Sequence, residues 1–109
     1  MEFNEYQKLA METAVYPGRG TLDGLQYTGL GLTEEAGEVA GKLKKHLRDK
    51  TEFPDFVSMT VTELGDVLWY VAEHATQLGV ALDDIAAENI RKLRDRKRRG
   101  MISGSGDSR

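Results

Sequence analysis

Two short segments hold acids at a spacing that could do chemistry: Glu35-Ala-Gly-Glu38 and Glu63-Leu-Gly-Asp66. Each lies in a run of helical periodicity, so carboxylates three residues apart project from one side of a helix. Any one of these acids alone reads as solvated helix surface. Two pairs bordering apolar stripes on adjacent helices read differently, because bundles build metal sites from inward side chains on facing helices. Four clustered carboxylates repel unless cations lie between them. Hard divalent ions with oxygen ligands, Mg2+ above all, suit that set. A di-iron carboxylate site would need Glu-x-x-His pairs, and neither His46 nor His74 has a glutamate three residues before it. Both histidines are expected at the surface or in packing.

The elements that must position the acids are helical. A first helix is predicted from about Glu5 to Val15, with Asn4 as its N-cap and Gln7 in the capping-box position; Pro17-Gly18 ends it. A second is predicted from about Leu22 to Leu47, its core stripe formed by Leu32, Ala36, Val39, Leu43 and Leu47. Gly24, Gly29, Gly31, Gly37 and Gly41 each cost about 1 kcal/mol there relative to alanine. Gly37 and Gly41 suggest a close backbone approach, Gly29 and Gly31 a break. Asp49 to Asp55, with Pro54 inside it, reads as a loop. A third helix is expected from about Phe56 to Leu78, ending at Gly79. Its stripe of Val57, Val61, Leu64, Leu68, Val71, Ala75 and Leu78 is broad enough for a central position. A fourth runs from about Leu82 to Arg98, with acids in its first turn and bases in its last, both matching the helix dipole. Gly100 stops it. With no strand signal, the expected fold is all-α: a four-helix, bundle-like single domain over residues 1–100 and a flexible tail over 101–109.

Composition narrows the classes further. The 109 residues leave room for one core, and 39% apolar with 30% charged residues describes a globular chain. No apolar run reaches the roughly 20 residues that span a bilayer. The N-terminus lacks secretory-signal character, so a cytoplasmic location without membrane association is expected. The absence of cysteine excludes disulfides and thiolate metal sites. Net charge is only −3, yet seven of the 15 basic residues fall between Arg91 and Arg99. That run suggests a local anion site or a nucleic-acid contact and is too short to make the whole chain a nucleic-acid binder. Wide apolar helices on so short a chain would be poorly covered alone, so a homodimer is expected, or a dimer of dimers.

Three blocks in order resemble a known family. Gly31-Leu-Thr-Glu-Glu-Ala-Gly-Glu-Val39, Glu63-Leu-Gly-Asp-Val-Leu-Trp-Tyr70 and Asn89-Ile-Arg-Lys-Leu-Arg-Asp-Arg96 are similar to the MazG-like all-α nucleoside triphosphate pyrophosphohydrolases. The resemblance covers nearly the whole chain apart from the tail. It implies Mg2+-dependent hydrolysis, with Mn2+ as a substitute, of a (deoxy)nucleoside triphosphate to the monophosphate and pyrophosphate. It implies Glu35, Glu38, Glu63 and Asp66 as metal ligands, with Glu35 or Glu38 also orienting the attacking water. It further implies Asn89, Lys92 and Arg96, which share one face of the last helix, as phosphate contacts; Lys42 is a weaker candidate for that task. Tyr70, one turn after Asp66, could stack on a base, whereas Trp69 points toward the core. The rival reading is a small helical adaptor that binds nucleic acid or an acidic partner through the basic helix, without catalysis.

Overall fold

The computed structural model describes residues 1–109 and is wholly helical. It contains α1 (Phe3–Glu12), α2 (Leu22–Asp49), α3 (Phe53–Leu78) and α4 (Leu82–Arg98). The expected all-α fold is what the chain adopts.

The framework is an antiparallel hairpin of α2 and α3, turned by the three residues Lys50 to Glu52. Contacts along it run in opposite order on the two helices. Thr28 Oγ1 lies 2.8 Å from His74 Nδ1, Lys42 Nζ lies 3.1 Å from Glu63 Oε1, and the His46 ring stacks on Phe56 at 4.3 Å. Both histidines are therefore packing residues. Pro54 sits in the first turn of α3, not in a loop. Its missing N–H is harmless there, and its fixed φ favours helix entry. Gly79 closes α3 in the left-handed conformation, φ 71°.

α2 is continuous through all five glycines. The glycines that permit close approach are not the expected pair: nothing lies within 4 Å of a Cβ built on Gly37 or Gly41. A Cβ on Gly31 would instead overlap the Tyr70 ring, and one on Gly24 would meet Gly18 O and Gln77 Oε1. These notches let α3 and the α1–α2 loop approach closely, which offsets the propensity cost.

α1 packs across α3, where Ala10, Ala72, Ala75 and Leu82 form a small core flanked by Tyr6, Trp69 and Val71. Trp69 Nε1 donates to Thr13 Oγ1 at 2.8 Å, in keeping with a core-side role. α1 starts at Phe3 with no side-chain cap, so the expected Asn4–Gln7 capping box does not form. Those two side chains cap α4 instead. Gln7 Oε1 accepts from Leu82 N at 2.8 Å and Asn4 Oδ1 from Asp83 N at 3.1 Å. Two of the unpaired donors at the α4 N-terminus are thereby satisfied from another helix.

The α3 stripe expected to lie centrally is largely uncovered in the single chain. Val57, Val61, Leu64, Leu68 and Leu78 are exposed, as are Leu43 and Leu47 on α2. The radius of gyration, 16.6 Å, exceeds the about 13 Å of a compact domain of this length. No helix is long and apolar enough to cross a membrane.

Candidate functional site

The hairpin brings three of the four candidate acids together. Carboxylate oxygens of Glu35, Glu63 and Asp66 all lie within 4.8 Å of one another. Glu35 comes from α2; Glu63 and Asp66 come from α3, three residues apart and so on one face. Glu38 is one turn further along α2, exposed, and outside that group. Glu34 is also exposed, as its place on the helix implies.

The electrostatics are those of crowded anions. The Glu35 carboxyl is held above the usual carboxylate range, first by desolvation and then by the charges of Asp66, Glu34, Glu63 and Glu38. One cation answers them within the chain: the ion pair of Lys42 with Glu63 is the only one that reaches the three acids. The donor set is all carboxylate oxygen, gathered at a spacing one ion could bridge. It therefore fits a hard divalent cation.

Tyr70 stands one turn beyond Asp66. Its ring lies in the Gly31 notch and meets Trp69 edge-on at 4.9 Å. Its hydroxyl is raised above the usual range by burial first, then by Tyr27 and by Glu35 and Glu34. On the far side Tyr6 of α1 is likewise raised by burial and by the charge of Asp66.

The basic residues of α4 are placed differently. α4 packs against α1, and no hydrogen bond or ion pair joins it to the acidic group. Residues 101–109 fold back onto its last turns. Arg96, nearly buried, donates to the Asp107 carbonyl at 2.7 Å, and Lys92 Nζ lies 3.4 Å from Asp107 Oδ1. Asn89 and Lys92 line a separate open groove with Val80, Asp84, Ile85 and Glu88. Within one chain, Asn89, Lys92 and Arg96 share a helix face without facing the acids.

Sequence reasoning did not single out Glu73. It is fully buried at the next turn of α3 after Tyr70. Its Oε1 accepts from the Tyr16 hydroxyl at 3.0 Å, and its Oε2 has no partner. Gln77 Nε2 donates to the same hydroxyl at 2.7 Å, while Gln77 Oε1 accepts from Gly20 N at 2.9 Å. Burial, reinforced by Glu73, pushes the Tyr16 phenol up to about 12. Tyr16 also stacks on Tyr27 at 5.3 Å. These bonds fasten the α1–α2 loop to α3. The one signal in the sequence was an acid placed between Ala72 and Ala75 of an apolar arc.

A family model for the MazG nucleotide pyrophosphohydrolase domain matches residues 24–101. The chain belongs to that family. The match spans the hairpin, the three acids and all of α4. Among curated proteins the chain is similar to Gene 37 protein of Mycobacterium phage L5, 48% identical over 117 aligned positions that cover the whole of both chains. That name states no activity. No solved structure matches the chain.

Proposed function

We propose that this MazG-family chain hydrolyses a (deoxy)nucleoside triphosphate to the nucleoside monophosphate and pyrophosphate, with Mg2+ as cofactor and Mn2+ as a substitute. The observation that carries the reading is the convergence of Glu35, Glu63 and Asp66 from two helices within a MazG domain. Those three acids, joined by Glu38 through a change of side-chain rotamer, would hold the cation. When bound there, a divalent cation would supply the charge that screens phosphate from carboxylate and polarises a phosphoryl group.

The remaining work falls to the chain's own groups. Water attacks the α-phosphorus; the bond from that phosphorus to the bridging oxygen breaks, and pyrophosphate leaves with the electron pair. Glu35 or Glu38 orients the water and takes its proton. Glu35 already holds a proton more firmly than a free carboxylate, which suits a general base. Tyr70, partly exposed beside the acids, is the proposed stacking surface for the base. Asn89, Lys92 and Arg96 are the proposed phosphate contacts. Because α4 does not face the acids of its own chain, a second copy is the proposed source or organiser of those contacts. A homodimer, or a dimer of dimers, would also cover the apolar side formed by Leu43, Leu47, Val57, Val61 and Leu64. The proposed setting is the cytoplasm, where nucleotide substrates and Mg2+ occur together.

Pyrophosphate release from dUTP, dCTP, dGTP, dATP and the ribonucleotides, with and without Mg2+, tests the reading. Asp66→Asn should abolish turnover in a folded chain, and an unaffected rate would remove the proposal. The adaptor alternative predicts salt-sensitive binding without hydrolysis. It is weakened by the engagement of Arg91 with Glu88, and of Arg98 and Arg99 with Asp95.

A further inference from the structure

Lys42 is set apart from the other lysines by where its ammonium ends. It lies on α2 two turns after Glu35 and one turn after Glu38, on the side that faces α3. Its Nζ reaches Glu63 Oε1 at 3.1 Å, with the two side chains only 25% and 14% exposed. Glu63 is one of the three acids whose oxygens converge. Lys42 therefore supplies the one positive charge inside a crowded anionic site. A divalent cation bound by Glu63 would place two positive charges beside that ammonium and weaken its hold on the carboxylate.

We infer that Lys42 is a positioning residue: its ammonium holds Glu63 until a divalent cation takes that carboxylate, and the released ammonium then binds a phosphate oxygen of the triphosphate. The inference rests on the proposed metal-dependent reaction. A compact ammonium on a flexible four-carbon stem suits such a handover better than a planar guanidinium does. No bond to carbon, nitrogen or phosphorus is made or broken by Lys42; it exchanges one anionic partner for another.

The test separates competition for metal from binding of nucleotide. Mn2+ binding, followed by electron paramagnetic resonance or calorimetry without nucleotide, should tighten by about two- to fivefold in Lys42→Met, the scale of a lost ion pair. The same variant should raise KM for the triphosphate by about tenfold or more, with a smaller effect on kcat. Lys42→Arg, which keeps the charge, should return Mn2+ affinity close to wild type. Lys44→Met removes an equal charge from an exposed position and should leave Mn2+ affinity and KM unchanged. Equal tightening in Lys44→Met would reduce the effect to net charge and overturn the inference. So would unchanged Mn2+ affinity in Lys42→Met while wild type binds the ion normally. Wild type that binds no Mn2+ would remove the metal-site reading, and the role of Lys42 with it.

Discussion

Replacing Glu35 by glutamine separates two roles that its carboxylate is asked to fill. The oxygens of Glu35, Glu63 and Asp66 lie within 4.8 Å. Two unit charges at that separation repel by about 1 kcal/mol at the dielectric of water and about 3 kcal/mol at an effective value of 20. Glu35 is half-buried at a solvent-accessible rim, and Lys42 already offsets Glu63, so the lower figure governs. Glu35→Gln is expected to stabilise the metal-free protein by about 1 kcal/mol, which raises Tm by about 4–8 °C for a domain of this size. The sign follows from linkage. A carboxyl whose folded pKa is raised binds its proton more tightly in the native state, so stability is lost as pH rises through the folded value. In chelator, wild type should therefore weaken as pH climbs above the ordinary carboxylate range, and Glu35→Gln should show less of that slope. Added Mg2+ should reverse the ranking, raising wild type more than the variant, because losing one charged ligand weakens the hold on a hard cation. Thermal melts at several pH values, with chelator and with Mg2+, read all of this in one experiment. A variant that melts at or below wild type in chelator would show that repulsion is not what the three acids share, and the reasoning would fail.

Other expectations follow from the packing. Tyr16→Phe removes the hydroxyl that serves Glu73 and Gln77. It leaves a buried carboxylate with neither oxygen paired, so a loss of about 1–3 kcal/mol is expected by urea unfolding. The Tyr16 phenol is raised to about 12, so wild type should lose stability between pH 10 and 12 as that group ionises, and Tyr16→Phe should lack that component of alkaline unfolding. Gly31→Ala drives a methyl into the Tyr70 ring and should destabilise by about 1–3 kcal/mol, whereas Gly37→Ala, with open space around it, should gain up to about 1 kcal/mol; melting temperatures of the two single variants decide. Gln7→Ala strips the cap from Leu82 N and should cost about 1 kcal/mol, with the loss concentrated in amide protection at the start of α4.

The features that could be read from the sequence are those set by neighbours along the chain. Three- and four-residue apolar steps give the helices and their order. Three-residue acid spacing puts Glu63 and Asp66 on one face, and a short connection, expected over Asp49–Asp55 and found over Lys50–Glu52, makes α2 and α3 antiparallel neighbours. What escaped is set by partners distant in sequence. Asn4 and Gln7 form a local capping pattern, yet their acceptors serve donors 79 and 75 residues away. Glycine roles in α2 depend on which residue of α3 lies opposite, so Gly31 becomes a notch and Gly37 does not. Glu73 looks like a stray acid in an apolar arc until Tyr16, 57 residues earlier, arrives beside it.

Burial along the hairpin shows what the site still requires. No residue from 32 to 71 is buried, whereas Gly24, Thr28, Gly31, Ala72, Glu73 and Ala75 all are. The half of the hairpin covered by α1 and its following loop thus ends at the Gly31–Tyr70 contact. Glu35 and Asp66 come one turn past that boundary, Glu63 one turn further on, and Lys42 two turns beyond Glu35. Charge interactions at such an edge are screened by water on one side, and phosphoryl chemistry gains most from fixed charges when water is excluded. The apolar side chains beyond the edge, Val57, Val61 and Leu64 among them, offer nothing a nucleotide phosphate would bind, but they suit another apolar helix surface. On α3 the apolar and acidic sets share a stretch but not a face, since helical periodicity turns Val61 and Leu64 well away from Glu63 and Asp66. A substitution that leaves every carboxylate in place but makes that flank polar therefore separates the two proposals: it should weaken self-association, read by sedimentation, while Mn2+ binding to the acids of the single chain persists.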